Sequence, residues 1–435
     1  MSTDTSTDPA PEVANPEDSA ASASAAPPQL VQELASAGTT TPAAPAAASA
    51  TTPALEEAKS KMKKIVIIYN PYGGKKKGKK LHDETKKKLL EKLDTEKYEI
   101  LSYETQRANH GFEMCASEIP DEILQSEDLA VLVVIGGDGS LNECLNGLAT
   151  REKVRLNLDS VANVESIKQK ICLIPGGTGN ALATDLGIVG YSTDKLTKKR
   201  TYRYAGNAIN AFLESSASQT LDAGEPKWID LGAITYQTGP SVADATSSQE
   251  PSTNVKLMHN MLGLGLGVDA NIKAERWRCC GPLRYDWSIL LEICRIDTSK
   301  GPTQVIKYQD KSKNPSAGEK KSGEIKFEKG ITLALVQNTK VVGDKLNTAP
   351  YAEVDDGLLD AVTGPKLGCC ATLGLFNKVK KNGQHVNDKR VGYEKVTDWS
   401  FESSEPARLN IDGENIGYTP CKIVVKPKFF QIYTF

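Results

Sequence analysis

The sequence is short of several things, and each shortage removes a class of function. Neither charge is in surplus: 53 basic and 55 acidic residues leave a formal net charge of −2 over 435 residues. A strongly basic nucleic-acid binder is thereby excluded, although local basic patches are not. No apolar run approaches the ~18 residues of a membrane span, so a soluble protein is expected. The nine cysteines (115, 144, 172, 279, 280, 294, 369, 370 and 421) include no Cys-x-x-Cys pair. That scatter gives no zinc spacing and suits a reduced intracellular protein. Residues 1 to about 58 lack Lys and Arg altogether and are mainly Ala, Ser, Thr and Pro. They cannot bury enough surface to offset chain entropy, so 1–60 is expected to be a disordered, low-complexity tail. The missing basic residues argue against a mitochondrial presequence, and no apolar core resembles a secretory signal. The cytoplasm is the expected address.

What is present is arranged around Val131-Leu132-Val133-Val134-Ile135-Gly136-Gly137-Asp138-Gly139-Ser140-Leu141-Asn142-Glu143. The apolar, mostly β-branched run fits a strand covered on both faces. It stops at glycines that let backbone approach a ligand closely. A helix is predicted to follow, with Ser140 as its cap and Glu143 completing a capping box. Such a helix start turns free N–H groups and a positive dipole end toward the turn, which suits phosphate. A tight strand–helix connection with a capping aspartate is the plainer alternative.

Two further turns have the same form. Strand Ile65–Ile68 runs into Asn70-Pro71-Tyr72-Gly73-Gly74, within a lysine-dense stretch from Lys59 to Lys88. Gly73 and Gly78-Lys79 mimic a Walker A loop, but Lys80 stands where a magnesium-binding Ser or Thr is required. The paired glycines and cations still suit an anionic phosphate. Tyr98–Glu104 reads as a strand and Ala108–Glu118 as a helix, joined through Thr105, Arg107, Asn109 and His110. The central helix is expected to run through Leu148 and 150–169 to be a loop. Strand Ile171–Pro175 then enters Gly176-Gly177-Thr178-Gly179-Asn180. Strands alternating with helices predict a doubly wound, mostly parallel sheet with ligands at the carboxyl ends of its strands. All three turns are then expected to meet at one cleft.

Taken together, Asn70-Pro71-x-Gly73-Gly74, Gly136-Gly137-Asp138-Gly139-Ser140 with Glu143 and Asn146-Gly147-Leu148, and Pro175-Gly176-Gly177-Thr178-Gly179-Asn180 resemble the diacylglycerol kinase catalytic-domain superfamily. That superfamily also takes in sphingosine and ceramide kinases and, more distantly, NAD kinases and phosphofructokinases. Thr105-x-Arg107-x-Asn109-His110 and Asn180-Ala181-Leu182-Ala183 look closest to the sphingosine kinases. The resemblance spans roughly Lys63 to Phe435. It implies an α/β nucleotide-binding domain over 62–225, phosphofructokinase/NAD kinase-like, followed by a mainly antiparallel β-sandwich lipid-binding domain over 226–435. In the family the last strand, here near Phe429–Phe435, can return to the first domain. The residues agree with an all-β second half: Trp228–Tyr236, Val255–Leu264, Ile331–Asn338, Leu358–Val362, Thr397–Glu402, Arg408–Ile411 and Lys422–Val425 read as strands. Polar stretches 237–254 and 310–323 read as surface insertions.

The resemblance also implies a site. Asn70, Pro71, Gly73, Gly74, Thr105, Gly137, Asp138, Gly139, Glu143, Gly177, Thr178 and Gly179 would bind ATP, with backbone N–H groups of the glycines cradling phosphate. Arg278 and Arg284, in a stretch with Glu275, Gly281 and Tyr285, look like nucleotide-phosphate contacts by the resemblance; read alone they are equally surface cations of an amphipathic helix. Asp412-Gly413-Glu414 would lie near the nucleotide and its magnesium, although on its own it is an ordinary Asp-Gly turn. Asp269 and Asn271 would meet the lipid. Sphingosine kinases usually carry two acids there, and Asn271 can hydrogen-bond an amine but not neutralise it. The match of Gly265-Leu266-Gly267-Val268-Asp269-Ala270 to a dinucleotide fingerprint lacks the βαβ context and is read as coincidence. Asp355-Asp356-Gly357-Leu358-Leu359-Asp360 is expected to be a β connection.

The implied activity is that of an ATP-dependent lipid kinase, with a sphingoid base as the favoured acceptor. A diacylglycerol or ceramide kinase, an NAD kinase-like enzyme and a non-catalytic scaffold are the alternatives. Asp138 is the expected catalytic residue, as general base or metal-linked acid, with Asp138 and Asp412 as magnesium carboxylates. His82, His259 and His385 have no motif context, and His110 is expected to order a turn; no histidine is expected to be catalytic. Lysines at 59–88 would either attract an anionic membrane surface, at about 1 kcal/mol each, or merely keep the protein soluble.

Overall fold

A computed structural model describes residues 62–177, 179–188, 190–193, 200–203, 226–238, 252–276, 283–310, 321–343 and 346–434. The expected tail, Thr178, Arg278 and Gly281 lie outside the described residues, as does the greater part of each polar stretch.

Strand and helix alternate through the first half: β1 (Lys63–Tyr69), α1 (Gly78–Lys92), β2 (Tyr98–Glu104), β3 (Leu129–Gly136), α2 (Asp138–Arg155), β4 (Lys170–Pro175) and α3 (Ala181–Asp185). β1 pairs in parallel with β2 on one side and β3 on the other, and β4 joins β3 in parallel. The loops after β1, β3 and β4 therefore open at one carboxyl edge, where parallel sheets hold ligands. Side chains alternate between two cores. Ile65, Ile67, Val131, Val133 and Ile135 pack with Leu89 of α1, whereas Val66, Ile68, Leu132 and Val134 pack with Leu141, Leu145 and Leu148 of α2. A strand buried on both faces needs an unbroken apolar run, and each such side chain stabilises the fold by ~1.5–3 kcal/mol.

The second half is mostly antiparallel. A small hairpin, β5 (Gly190–Thr193) and β6 (Arg200–Arg203), precedes β7 (Lys227–Thr238), β8 (Ser252–Met258) and β9 (Met261–Gly265). Helices α4 (Leu266–Arg276) and α5 (Leu283–Cys294) follow, then β10 (Gln304–Asp310), β11 (Lys321–Phe327) and β12 (Ile331–Gln337). The chain ends with β13 (Val341–Val342), β14 (Leu346–Asn347), β15 (Leu359–Pro365), α6 (Cys369–Lys380), β16 (Gly392–Ser403), β17 (Arg408–Ile411) and β18 (Glu414–Ile432). Pairings run β16–β15–β12–β9–β17–β18 and return from β18 to β16. These strands close around Trp399, Phe401, Leu262, Val336 and Ile423. The end of β18 then pairs in parallel with β4 through Gln431↔Lys170 and Ile432↔Ile171, so one 14-stranded sheet runs through both halves.

Several expectations change. Val255–Leu264 is two strands, β8 and β9, interrupted by His259-Asn260. The polar stretches are strand at their margins: β7 reaches Thr238, β8 starts at Ser252, and β11 starts at Lys321. Exposed hairpin ends carry no apolar alternation, so composition alone reads them as loop. α2 continues past Leu148 to Arg155, because buried Arg151 donates to the Cys115 carbonyl at 2.7 Å and holds the polar end of the helix. The expected helix Ala108–Glu118 is one α-turn, His110–Glu113, continued by a π-turn, Met114–Glu118. Among the described residues no helix is long and apolar enough to cross a membrane.

Candidate active site

The three glycine turns touch. Gly176 donates its N–H to the Gly136 carbonyl at 2.8 Å, and a side chain at Gly73 would come to 3.8 Å from the Gly176 carbonyl. Gly137 and Gly177 lie back to back: a Cβ on Gly137 would sit 2.9 Å from the Gly177 Cα, closer than side chains tolerate. That approach, rather than an unusual φ, is why both positions need glycine. Gly78 is not part of a Walker loop; it starts α1 where any side chain would collide with the Asn70 carbonyl.

Part of the expected phosphate cradle is already occupied. The Gly73 N–H donates to the Asn70 carbonyl at 3.1 Å, and the Gly177 N–H donates to Asn180 Oδ1 at 3.0 Å. Asn70 Oδ1 accepts from the Tyr72 N–H at 3.0 Å, locking its own turn around Pro71. Gly139, in contrast, faces open space, with nothing within 4 Å of where its Cβ would be. Gly74 lies in the one-turn helix Gly73–Lys76 beside this edge.

The expected capping box does not form. Gly137 is the residue before α2, and no side chain caps it. Glu143 instead accepts from the Asn109 N–H at 2.9 Å and the Gly111 N–H at 3.0 Å, and burial raises its pKa. It thereby holds the loop that carries Thr105, which is itself buried and donates its N–H to the Tyr69 carbonyl at 3.0 Å. His110 orders that loop, accepting from the Gln106 N–H at 2.9 Å and pairing with Glu118 at 2.9 Å.

Asp138 stands where the turns meet. Its Oδ2 accepts the Ala181 N–H at 3.1 Å, which caps α3, while its Oδ1 is buried with no hydrogen-bond donor among the described residues. His259 Nε2 lies 4.0 Å from that Oδ1. His259 is completely buried, and its Nδ1 is 2.8 Å from Asp412 Oδ2, an ion-pair contact out of line for a hydrogen bond. Burial opposes a charge on the ring, but the Asp412 and Asp138 carboxylates outweigh it and push the pKa up to about 10. A charged imidazole therefore bridges two acids that lie far apart in the sequence. Asp185 adds a third acid: it accepts the Lys340 N–H at 2.5 Å, and burial, with the nearby Asp138 charge, raises its pKa.

Asp412 does not fit the metal role expected of it. Its oxygens accept from the N–H groups of His259 (3.0 Å), Asn260 (3.0 Å) and Met261 (2.8 Å), and from Asn142 Nδ2 (2.6 Å). Burial works against its charge, and His259 and these donors hold its pKa below the usual value nonetheless. Four donors fill the lone-pair positions of a carboxylate, so no face is left for magnesium. The rest of the turn is also structural: Asn271 Nδ2 donates to the Gly413 carbonyl at 3.0 Å, and Glu414 takes the Lys256 ammonium at 2.6 Å. Asp269 stands exposed in the first turn of α4, where burial of its carboxyl raises the pKa against the opposing pull of Lys273 and Arg408. Arg284 belongs to α5, and its side chain lies outside what is described.

His259 is the residue that pattern reading missed. Its only local signal is a polar pair, His259-Asn260, inside an otherwise apolar run. The fold then places that pair at the bend between β8, which pairs with β7, and β9, which pairs with β12 and β17.

Comparison with known proteins adds the family context. Residues 64–205 match the family described as diacylglycerol kinase catalytic domain, and 261–434 match the YegS C-terminal NAD kinase beta sandwich-like domain. The chain is 26% identical over 369 residues to a diacylglycerol kinase of Staphylococcus carnosus, covering 84% of this chain and 93% of that one. It is 26% identical over 385 residues to sphingosine kinase 2 of Arabidopsis thaliana, covering 79% and 67%. A solved diacylglycerol kinase structure from Bacillus anthracis superposes with a TM-score of 0.53 at 19% identity, over 86% of this chain and 98% of that one, and so shares the fold.

Proposed function

This chain belongs to the diacylglycerol kinase catalytic-domain superfamily and is a lipid kinase, and on that premise we propose that it transfers the γ-phosphate of ATP to the hydroxyl of a sphingoid base. The observation that carries the reading is the unfilled Oδ1 of Asp138, buried where three phosphate-suited turns meet. In our assignment ATP lies across 62–225, a phosphofructokinase/NAD kinase-like sheet, and the lipid is held by 226–435. Chemistry of this kind asks the protein mainly to position the reactants and neutralise charge. The start of α2 aims N–H groups at the phosphates, and Asp138 acts on the attacking hydroxyl through Oδ1, as general base or metal-linked acid.

Magnesium fits one of its two expected carboxylates. Asp138 keeps an oxygen with open lone pairs and Asp412 does not. Since magnesium retains several waters, one carboxylate is enough. Held there with the nucleotide, the ion would supply neutralisation of triphosphate charge.

The sphingoid preference rests on the Thr105–His110 loop and on Asp269, whose carboxylate is available to pair with a lipid amine. Asn271 spends one of its two amide N–H donors on the Gly413 carbonyl and keeps its carbonyl oxygen and the second N–H for a lipid hydroxyl or amine. Peripheral contact with a cytoplasmic membrane face would be made by exposed lysines such as Lys79, Lys80 and Lys87. Sphingosine, ceramide and diacylglycerol, each offered with radiolabelled ATP in neutral and in anionic vesicles, test both points together. Label is expected in sphingosine first, and faster on anionic vesicles at low salt. Preferential labelling of ceramide or diacylglycerol rejects the sphingoid assignment, and indifference to vesicle charge rejects the lysine contact.

A further inference from the structure

Asp138 is anchored through one oxygen only. Its Oδ2 is fixed by the Ala181 N–H at 3.1 Å, which leaves the direction of Oδ1 to be set by some other group. Among the described residues the basic group that faces Oδ1 is the His259 ring, at 4.0 Å, and both atoms are buried without a hydrogen-bond partner. An imidazole buried between two acids is costly unless its geometry is held. Here it is held from behind: Asp412, 2.8 Å from Nδ1, is itself tied by the backbone of 259–261 and by Asn142. Asn142 is on α2, the helix that Asp138 begins, so the chain of contacts returns to its starting element. A ring with no motif context thus joins the turn of the second half to the acid of the first.

We propose that His259 is a positioning residue for phosphoryl transfer, holding the free oxygen of Asp138 in the direction of the attacking hydroxyl while Asp412 holds the ring. The role rests on Asp138 being the catalytic carboxylate. His259 touches neither substrate; it acts through Asp138.

Two replacements divide the ring's functions. His259→Asn keeps a donor on the Asp412 side and cannot reach Asp138, whereas His259→Gln extends its amide toward the position of Nε2. Each is compared with the full-length wild type and with Asp138→Asn for kcat, ATP KM and thermal midpoint. His259→Asn is expected to lower kcat at least 10-fold with ATP KM within about twofold, and His259→Gln to recover most of that loss. A purely structural ring would leave the asparagine variant near wild type, and that result, or an equal fall in both variants, overturns the proposal. If Asp138→Asn is inactive and both His259 variants are normal, His259 alone is removed from the mechanism. If Asp138→Asn is itself near normal, the reading of Asp138 goes instead. A measurement independent of how the His259 variants fold is the ring nitrogen resonance of His259 in labelled protein: Asp138→Asn should shift it, and an unmoved resonance overturns the contact.

Discussion

Asp138-Gly139 and Asp412-Gly413 are the same dipeptide at the same kind of place, a turn at the end of a strand, and they face each other across one histidine. Asp412 takes a left-handed backbone, φ +50°, and gathers backbone N–H groups from the facing turn until both oxygens are filled. Asp138 starts a helix among glycines, accepts a single N–H at one oxygen and keeps the other bare. The same ring lies against both, yet only one of the two retains an oxygen without a hydrogen-bond donor. On our proposal Asp138 is the chemical acid and Asp412 the structural one, and the two differ in the count of occupied lone pairs, which no dipeptide motif encodes.

The largest effect that tests this contrast is on turnover. Asp138→Asn should leave the protein folded, since an amide preserves shape and can still accept the Ala181 N–H through its oxygen, while kcat falls ~10²–10⁴-fold. The contrast breaks if activity is near normal, or if it is lost only together with the folded state in a thermal melt. Asp412→Ala should act on stability in the first place. Removing one partner of a buried ion pair leaves an uncompensated charge and unfilled N–H groups, and costs ~3–5 kcal/mol. Urea unfolding reads it directly, and a midpoint equal to wild type would mean that the filled carboxylate holds nothing.

Much of the scaffold was legible because its signals are local. β2 lies at Tyr98–Glu104 and β17 at Arg408–Ile411, as their β-branched and alternating residues predict. The glycine turns announce themselves wherever a buried strand stops and a helix begins. The wiring of the site was not legible, for a physical reason. Whether Glu143 caps its own helix or reaches to Asn109, and whether Asp412 holds a cation or three N–H groups, depends on what the fold brings alongside. Asp412 and Met261 are 151 residues apart in sequence, and their contact is 2.8 Å. His259 carried no motif because its meaning comes wholly from two acids that the sheet delivers to it.

A third Asp-Gly turn sharpens the contrast with the smallest effect. Beside Asp356-Gly357, Asp360 is fully buried on β15; its Oδ1 accepts the Tyr393 hydroxyl at 2.6 Å, and Lys395 stands 3.7 Å from Oδ2 while lying closer, at 2.5 Å, to Asp356. Burial pushes the Asp360 pKa up to about 6, helped by the Asp356 charge, against the pull of Tyr393 and Lys395. The folded state therefore holds the proton more tightly than the unfolded chain, whose aspartate titrates near 3.9. The stability this gives is fully present below about pH 4 and is lost as the pH rises through about 6. Taking the protein from pH 7.5 to pH 5 should stabilise wild type relative to Asp360→Asn by about 1 kcal/mol, since the amide cannot gain a proton. Urea midpoints of the two proteins at both pH values give that difference, in which all other titrating groups cancel. A difference of zero would mean that Asp360, like Asp412, is held ionised by its neighbours, even though its Oδ2, like Oδ1 of Asp138, is buried without a hydrogen-bond partner.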